Sequence, residues 1–345
     1  MGRIQTLQGL KDMLQAGFED NEALLARYGQ TRLTQLKAYL LETNYPVDEV
    51  GCPLGAWSSL DAGGWYVNRG SSSPNTLFLD TTRERVWILY TTLDATEADA
   101  ATDGWIRRIK GLDRCWLSRN HLLHYDGKEP WQQRGLGLRF SDGLVSDEEA
   151  GRFSLKAWYG ATEKIPGLAE VLDTAKESFA IYSTRWQKLK GDSVTLAVEW
   201  YSNGKVTVNR ATDVDEVMLS ISDMANLYED ALDEATGLRD DGLGAFELNF
   251  TQNIDLEAFS RTVAMGRGKM NLWLVETETE PDFRRFKGVD LHTWDRVFLD
   301  VGPDFAYLTI PGKGCVNAAP RIATIQGEDN AGRTSIFFDG VEVFG

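Results

Sequence analysis

The chain has 345 residues, of which 42% are hydrophobic and 11% aromatic, and its formal net charge at pH 7 is -16. This composition excludes a disordered chain and predicts that most of the length packs into sizeable cores. The acid excess also disfavours non-specific attraction to nucleic acid or anionic lipid over the surface as a whole.

The compartment is predicted from the N-terminus, the cysteines and the lack of long apolar runs. The first ten residues carry neither the apolar run nor the small-residue cleavage site of a signal peptide. Cys52, Cys115 and Cys315 are widely spaced and odd in number, which fits a reducing compartment. No apolar run approaches the roughly 20 residues that span a bilayer. The sequence therefore predicts a cytoplasmic protein without membrane contact.

Residues 1–45 are predicted to form a helical hairpin that acts as an arm or a cap. Apolar residues recur at three-to-four spacing from Ile4 to Phe18, and a second stripe runs from Leu24 to Leu41. Such a two-helix stripe covers the following domain, or it serves as a dimerisation or partner-docking arm.

Residues 46–150 are predicted to form a first α+β unit. It begins with a connector rich in proline, glycine and serine that reaches residue 75. Two β-branched and aromatic stretches, 76–80 and 85–92, then predict a hairpin. A helix is predicted from about residue 95 to residue 109.

Residues 151–236 are predicted to form a second α+β unit of strands and helices. Its clearest local signal is Asn203-Gly204, because this dipeptide readily takes the positive φ angles of a tight hairpin turn. A helix over residues 214–231 closes the unit, and the glycine-rich and aspartate-rich stretch 237–244 is predicted to be a linker.

Residues 245–345 are predicted to form a third, strand-rich α+β unit. Strands are expected at 246–250, 270–276, 296–300, 305–310, 321–325 and 335–344, with a helix at 255–264. The acids Glu276, Glu278 and Glu280 would share one face of a strand and indicate a water-facing sheet edge that discourages pairing with another chain.

These elements predict an α+β fold. An N-terminal helical hairpin precedes two or three mixed sheet and helix units, some of which can be ferredoxin-like.

One cluster has the residue types of a metal site: Cys115, His121, His124 and Asp126. A His-x-x-His pair can place both rings on one helix face, and a third ligand would suffice for zinc with an open position. However, the glutamate of the H-E-x-x-H helix is missing, and Asp126-Gly127 is typical of a turn after a helix end. The structural interpretation is therefore preferred, and no metal or other cofactor is predicted.

One segment combines basic and aromatic residues in the way that phosphate contact requires. Its members are Arg107, Arg108, Lys110, Arg114, Trp116 and Arg119. Cations interleaved with aromatic rings suit backbone contact plus base stacking in nucleic acid. The alternative is a solvated helix face whose cations pair with the chain's many carboxylates.

Three function classes follow. The leading hypothesis is a non-enzymatic accessory subunit that docks to other proteins or to copies of itself, because catalytic motifs are lacking and aromatic anchors dominate interface energetics. The second is a nucleic-acid-associated subunit of a processing or defence complex that uses Arg107 to Arg119. The third is a metal-dependent hydrolase around His121 and His124.

Overall fold

The computed structural model describes residues 4–19, 36–69, 76–141, 152–159, 167–242, 244–264, 270–330 and 332–345. These residues form eight helices and two large antiparallel sheets of 11 and 7 strands. The α+β content is confirmed. None of the helices in these ranges is long and apolar enough to cross a membrane.

The helices are α1 Leu7–Glu19, α2 Val47–Val50, α3 Ala95–Arg108, α4 Arg119–Leu122, α5 Leu168–Ser178, α6 Val214–Asp241, α7 Leu256–Ala264 and α8 Ala318–Asn330. The first nine strands are β1 Lys37–Thr43, β2 Ala56–Ser59, β3 Trp65–Arg69, β4 Leu77–Asp80, β5 Val86–Thr91, β6 Leu112–Arg114, β7 Trp131–Ser141, β8 Arg152–Trp158 and β9 Ile181–Lys190. The other nine are β10 Ser193–Tyr201, β11 Lys205–Ala211, β12 Phe246–Phe250, β13 Leu272–Glu280, β14 Phe283–Asp290, β15 Arg296–Val301, β16 Phe305–Thr309, β17 Thr334–Phe338 and β18 Val341–Glu342.

The strands of the 11-stranded sheet follow the order β2-β3-β4-β5-β1-β11-β10-β9-β7-β8, and β6 pairs with β1 beside this path. The order in the 7-stranded sheet is β13-β14-β15-β16-β12-β17-β18.

The predicted N-terminal helical hairpin is wrong. Its first helix exists as α1, but the end of the second stripe forms strand β1, in which every residue is buried. Because a strand buried on both faces needs no alternation, Leu36, Leu40 and Leu41 matched a helical spacing by coincidence. The rest of that stripe, residues 20–35, lies outside the described residues.

The predicted ferredoxin-like units are also wrong. Such a unit has its own small sheet of strands and crossover helices. The strands here instead join two large antiparallel sheets of 11 and 7 strands. Two further elements differ from their predictions. Residues 321–325 belong to helix α8 rather than a strand, and α6 continues through the predicted linker to Asp241.

Elements with a strong local signal are confirmed. Strands β4 and β5 form the predicted antiparallel hairpin, and helix α3 begins after Asp94, whose side chain accepts a hydrogen bond from the Glu97 N–H at 2.9 Å. Gly204 has a φ of 74° in the turn between β10 and β11.

The chain divides into two compact units. Unit 1 comprises Met1–Cys115, Tyr125–Gln133 and Arg185–Glu229, and unit 2 comprises Trp116–His124, Arg134–Thr184 and Asp230–Gly345. The predicted segment boundaries at residues 45, 150 and 236 stay predictions. The core of unit 1 joins helix α3 to strands β1, β4 and β5 through buried aromatic and aliphatic side chains, with Trp87 and Trp105 the largest.

Unit 2 contains the 7-stranded sheet. Helix α7 contacts strands β13 and β14 of this sheet, and helix α8 contacts β12 and β17. The side chains on the helix-covered face alternate along each strand and are buried, for example Leu272, Leu274, Phe286, Leu299 and Leu308. This face is the core of unit 2.

Candidate docking face

The opposite face of the 7-stranded sheet exposes large apolar side chains to solvent. The exposed fractions are 53% for Trp273, 58% for Val275, 43% for Phe298 and 42% for Tyr307. Each alternates with buried residues along its own strand, so all four point away from the helices. Large exposed residues grouped on one surface are unusual, whereas singly scattered ones are normal.

The strand registers bring these side chains into one surface. Trp273 lies opposite Val289, which lies opposite Arg296. In the next row, Val275 lies opposite Lys287, and Lys287 lies opposite Phe298.

Tyr307 lies opposite Asp300 on the neighbouring strand, diagonal to Phe298. Since facing residues on one side of a sheet have Cβ atoms about 5 Å apart, these side chains form a continuous surface. We call this surface the docking face; its members are Trp273, Val275, Lys287, Val289, Arg296, Phe298 and Tyr307.

Two cations of the docking face have no partner in the part of the chain that the structure describes. Both Lys287 and Arg296 are exposed, and no hydrogen bond or ion pair joins their side chains to another described residue. Arg285, which borders the face, is different, because it contacts Asp300 at 2.9 Å and Glu278 at 2.6 Å. The centre of the face therefore carries a net positive charge on a strongly acidic protein.

Strand β13, which carries Trp273 and Val275, is an edge strand of its sheet. The acids that were predicted to mark a sheet edge lie on this strand. They do not share one face, however, because a register shift separates Glu276 from Glu278. Glu276 consequently pairs with Arg284 at 3.4 Å, while Glu278 pairs with Arg285 on the other side of strand β14.

His121 is a buried histidine in the short helix α4. Its Nδ1 lies 2.7 Å from the Oγ of Ser118, the residue that caps the same helix. Burial, reinforced by the nearby His124, lowers the pKa of His121 to about 4. The ring is therefore neutral at pH 7.

The other two candidate metal ligands belong to unit 1, whereas His121 and His124 belong to unit 2. Cys115 is buried, and burial, with the negative charges of Glu42 and Asp113, holds the pKa of its thiol well above the usual range. Metal binding requires the thiolate, which this environment disfavours. Asp126 is exposed. The hydrolase hypothesis stays a prediction that elemental analysis of the purified protein tests.

The members of the basic segment lie in different environments, some exposed and some buried. Arg107 and Arg108 are exposed at the end of helix α3, and Lys110 is exposed just after it. Arg114 is buried in strand β6 and pairs with Asp103 at 2.6 Å. Because helix α3 ends at Arg108 and Arg114 lies in strand β6, the cations of the segment do not share one helix face.

The last two members of the segment lie in unit 2. Trp116 is buried. Arg119 contacts the carboxylate of Glu177, and its Nε donates to the Lys176 carbonyl oxygen at 3.3 Å.

The sequence predicted strands β13, β15 and β16 of the docking face, but neither strand β14 nor the face itself. The signal was present, because the predicted strand 270–276 alternates two apolar sets, Leu272 and Leu274 against Trp273 and Val275. Two apolar sets on one strand predict burial on both faces. Only the tertiary structure shows that one of the two sets, Trp273 and Val275, is exposed.

Comparison with known proteins places the chain in a family. It is 23% identical over 337 residues to the "Uncharacterized protein MJECL33" of Methanocaldococcus jannaschii, and the match covers 83% of this chain and 82% of that protein. No solved structure matches the chain. A family model described as "MJECL33-like protein" matches residues 2–327. The chain therefore belongs to the MJECL33-like protein family.

Proposed function

We propose that the protein is a non-enzymatic accessory subunit that docks a protein partner through the docking face of unit 2. The observation that carries this proposal is the group of Trp273, Val275, Phe298 and Tyr307, each more than two-fifths exposed on one sheet face. Tryptophan and tyrosine are enriched among the residues that dominate binding energy at protein interfaces.

The size of the face favours an extended segment of the partner over a second copy of this chain. Strands lie about 4.8 Å apart and rise about 3.3 Å per residue, so four strands of five residues cover roughly 300 Å². A stable interface between two globular proteins buries about 800 Å² on each side. A single peptide segment that lies across strands β13 to β16 fits the smaller area.

The charge of the face defines the chemistry of that segment. Lys287 and Arg296 lie among apolar side chains, while the chain as a whole carries a net charge of -16. A second copy with the same large negative charge is repelled at long range. We therefore infer that the partner segment combines apolar side chains with carboxylates, which pair with these two cations.

Site-specific photo-crosslinking in the native host tests the proposal. A photoreactive phenylalanine analogue replaces Phe298 in one variant and Leu219 in a matched control. Leu219 is also an exposed apolar residue, but it lies on helix α6 in unit 1. We expect a discrete adduct from position 298 and none of the same mass from position 219.

Charge reversal then tests the predicted chemistry of the partner. Lys287→Glu and Arg296→Glu together should reduce the adduct at position 298 at least fivefold, since both cations become repulsive. The cross-linked segment, identified by mass spectrometry, should contain apolar and acidic residues. Identical adducts at both positions, or an adduct with nucleic acid alone, would contradict the proposal.

A second function stays open for the segment from Arg107 to Arg119. Arg107, Arg108 and Lys110 are all exposed, and this supports contact with phosphate groups at the end of helix α3. The test is binding of a labelled single-stranded oligonucleotide at several salt concentrations. Salt-dependent affinity that falls in an Arg107→Ala/Arg108→Ala variant supports the hypothesis, and absent or salt-independent binding removes it.

A further inference from the structure

Unit 2 contains an open cleft that is separate from the docking face. Its volume is about 690 Å³, counting the part that is open to solvent. The walls come from residues 117–120, residues 179–181, helix α8, strand β17 and residues 342–345, all of which belong to unit 2.

Two arginines of the cleft wall contact the same carboxylate. Arg119 Nη2 contacts Glu177 Oε1, and Arg333 Nη1 lies 3.7 Å from Glu177 Oε2. Glu177 itself is in the last turn of helix α5, two residues before the wall residue Phe179. The two guanidinium groups thus lie within ion-pair distance of one carboxylate at the margin of the cleft.

Glu177 is held weakly enough to be replaced. Its side chain is 63% exposed, and exposed ion pairs stabilise a protein by about 0 to 1 kcal/mol. The arginines are more enclosed, since Arg119 is 25% and Arg333 34% exposed. A carboxylate that arrives from solution can therefore take the place of Glu177 without disrupting the fold of unit 2.

The rest of the cleft sets the shape and the charge of such a ligand. Phe179 and Ala323 supply apolar wall, and Phe179 is partly exposed. The almost buried Glu328 also lines the cleft and pairs with Arg139 at 3.2 Å. A second negative charge near Glu328 would be repelled, so the ligand carries its charge at one end and an apolar body at the other.

We propose that this cleft binds a small monocarboxylic acid with an apolar body, and that Glu177 occupies the carboxylate position when the ligand is absent. The ligand carboxylate contacts Arg119 and Arg333, where charge-assisted hydrogen bonds to guanidinium are strong. Its apolar body packs against Phe179 and Ala323. The site thus includes an internal competitor, which makes the proposal testable with one substitution.

The test measures the binding of 4-phenylbutyrate to the full chain by titration calorimetry. Glu177→Gln removes the internal carboxylate while keeping the side-chain size, so the dissociation constant should fall about threefold to fivefold. Arg333→Gln should raise the dissociation constant at least fivefold. The neutral amide of the same acid should not bind measurably to any of these proteins.

Two controls separate a specific site from a general charge effect. Arg261→Gln removes an exposed cation that pairs with Glu257 at 3.0 Å outside the cleft, and it should leave the dissociation constant unchanged. Inorganic phosphate, tested as a competitor, shows whether the cleft binds any anion rather than a carboxylate with an apolar body. The proposal is overturned if neither the natural protein nor Glu177→Gln binds 4-phenylbutyrate, if Arg333→Gln binds it equally well, or if phosphate displaces it fully.

Discussion

Arg321 Nη2 lies 2.6 Å from Asp290 Oδ1, and both side chains are almost completely buried in unit 2. The pair joins helix α8 to the end of strand β14. Asp290 Oδ1 also accepts a hydrogen bond from the His292 N–H at 3.0 Å, so one oxygen connects the helix, the strand and the following turn.

Removing one member of this pair should strongly destabilise unit 2. Arg321→Met leaves the Asp290 carboxylate buried beside an apolar side chain, and the expected loss is about 3 to 5 kcal/mol. Hydrogen exchange of peptides that cover helix α8 measures the loss locally. In the double variant Asp290→Leu/Arg321→Met only part of the lost stability should be recovered, because the His292 N–H loses its acceptor. A loss below 1 kcal/mol, as expected for Arg285→Met at the exposed Asp300 pair, would contradict this assignment.

Truncating two adjacent side chains on strand β15 should change the free energy of unfolding by very different amounts. Phe298 belongs to the exposed docking face, so Phe298→Ser should change the free energy of unfolding by less than about 1 kcal/mol. Leu299 is fully buried on the other face of the strand, and Leu299→Ala should cost about 2 to 5 kcal/mol. Urea unfolding of both variants provides the comparison. Equal losses would mean that the docking face is covered in solution.

Replacing two glycines by alanine, one at a time, should change the stability of the protein in opposite directions. A Cβ atom at Gly288 would lie 2.0 Å from the Trp273 carbonyl oxygen on the neighbouring strand, so Gly288→Ala should disrupt the pairing of β13 and β14. We expect a loss of about 2 to 4 kcal/mol and faster hydrogen exchange over β13.

Gly237 is the matched control for the alanine substitution. It is exposed inside helix α6, and no neighbouring group of the described residues lies within 4 Å of an added Cβ. Gly237→Ala should therefore raise the free energy of unfolding by about 0.5 to 1 kcal/mol. Destabilisation by this variant would show that the helix does not continue through Gly237.

The sequence predicts this fold where a local interaction determines the backbone. The Asn203-Gly204 turn and the helix that begins after Asp94 are examples, because each depends on residues within a few positions. Prediction failed at strand β1, whose two buried faces remove the alternation that identifies a strand. It failed again at Gly237, where a long helix continues through a glycine and two aspartates of the predicted linker.

The candidate sites were less predictable because they depend on long-range order. Arg119 meets Glu177 across 58 positions of the chain. The docking face needs the order of strands β13 to β16 and the knowledge that both helices cover the opposite side. Neither a strand order nor the choice of covered face follows from composition or periodicity alone.

The buried His121 should make the protein less stable as the pH falls. Its pKa is lowered to about 4 in the folded protein by burial and by His124, whereas an exposed histidine titrates near 6.5. Between these two values the unfolded chain binds a proton that the folded chain does not bind. His121 therefore does not lower the free energy of unfolding above pH 6.5. As the pH drops toward 4, this residue lowers it by about 3 kcal/mol in total.

The variant His121→Asn isolates this contribution from the many carboxylates that titrate in the same range. Its amide oxygen can accept a hydrogen bond from Ser118, but it binds no proton, so the difference in unfolding free energy between the natural protein and the variant should change across pH 4 to 6.5. Since the chain has only 3 histidines, NMR titration of the labelled rings also measures the pKa directly. A His121 ring that titrates near 6.5 in the folded protein would show that helix α4 does not shield it from water.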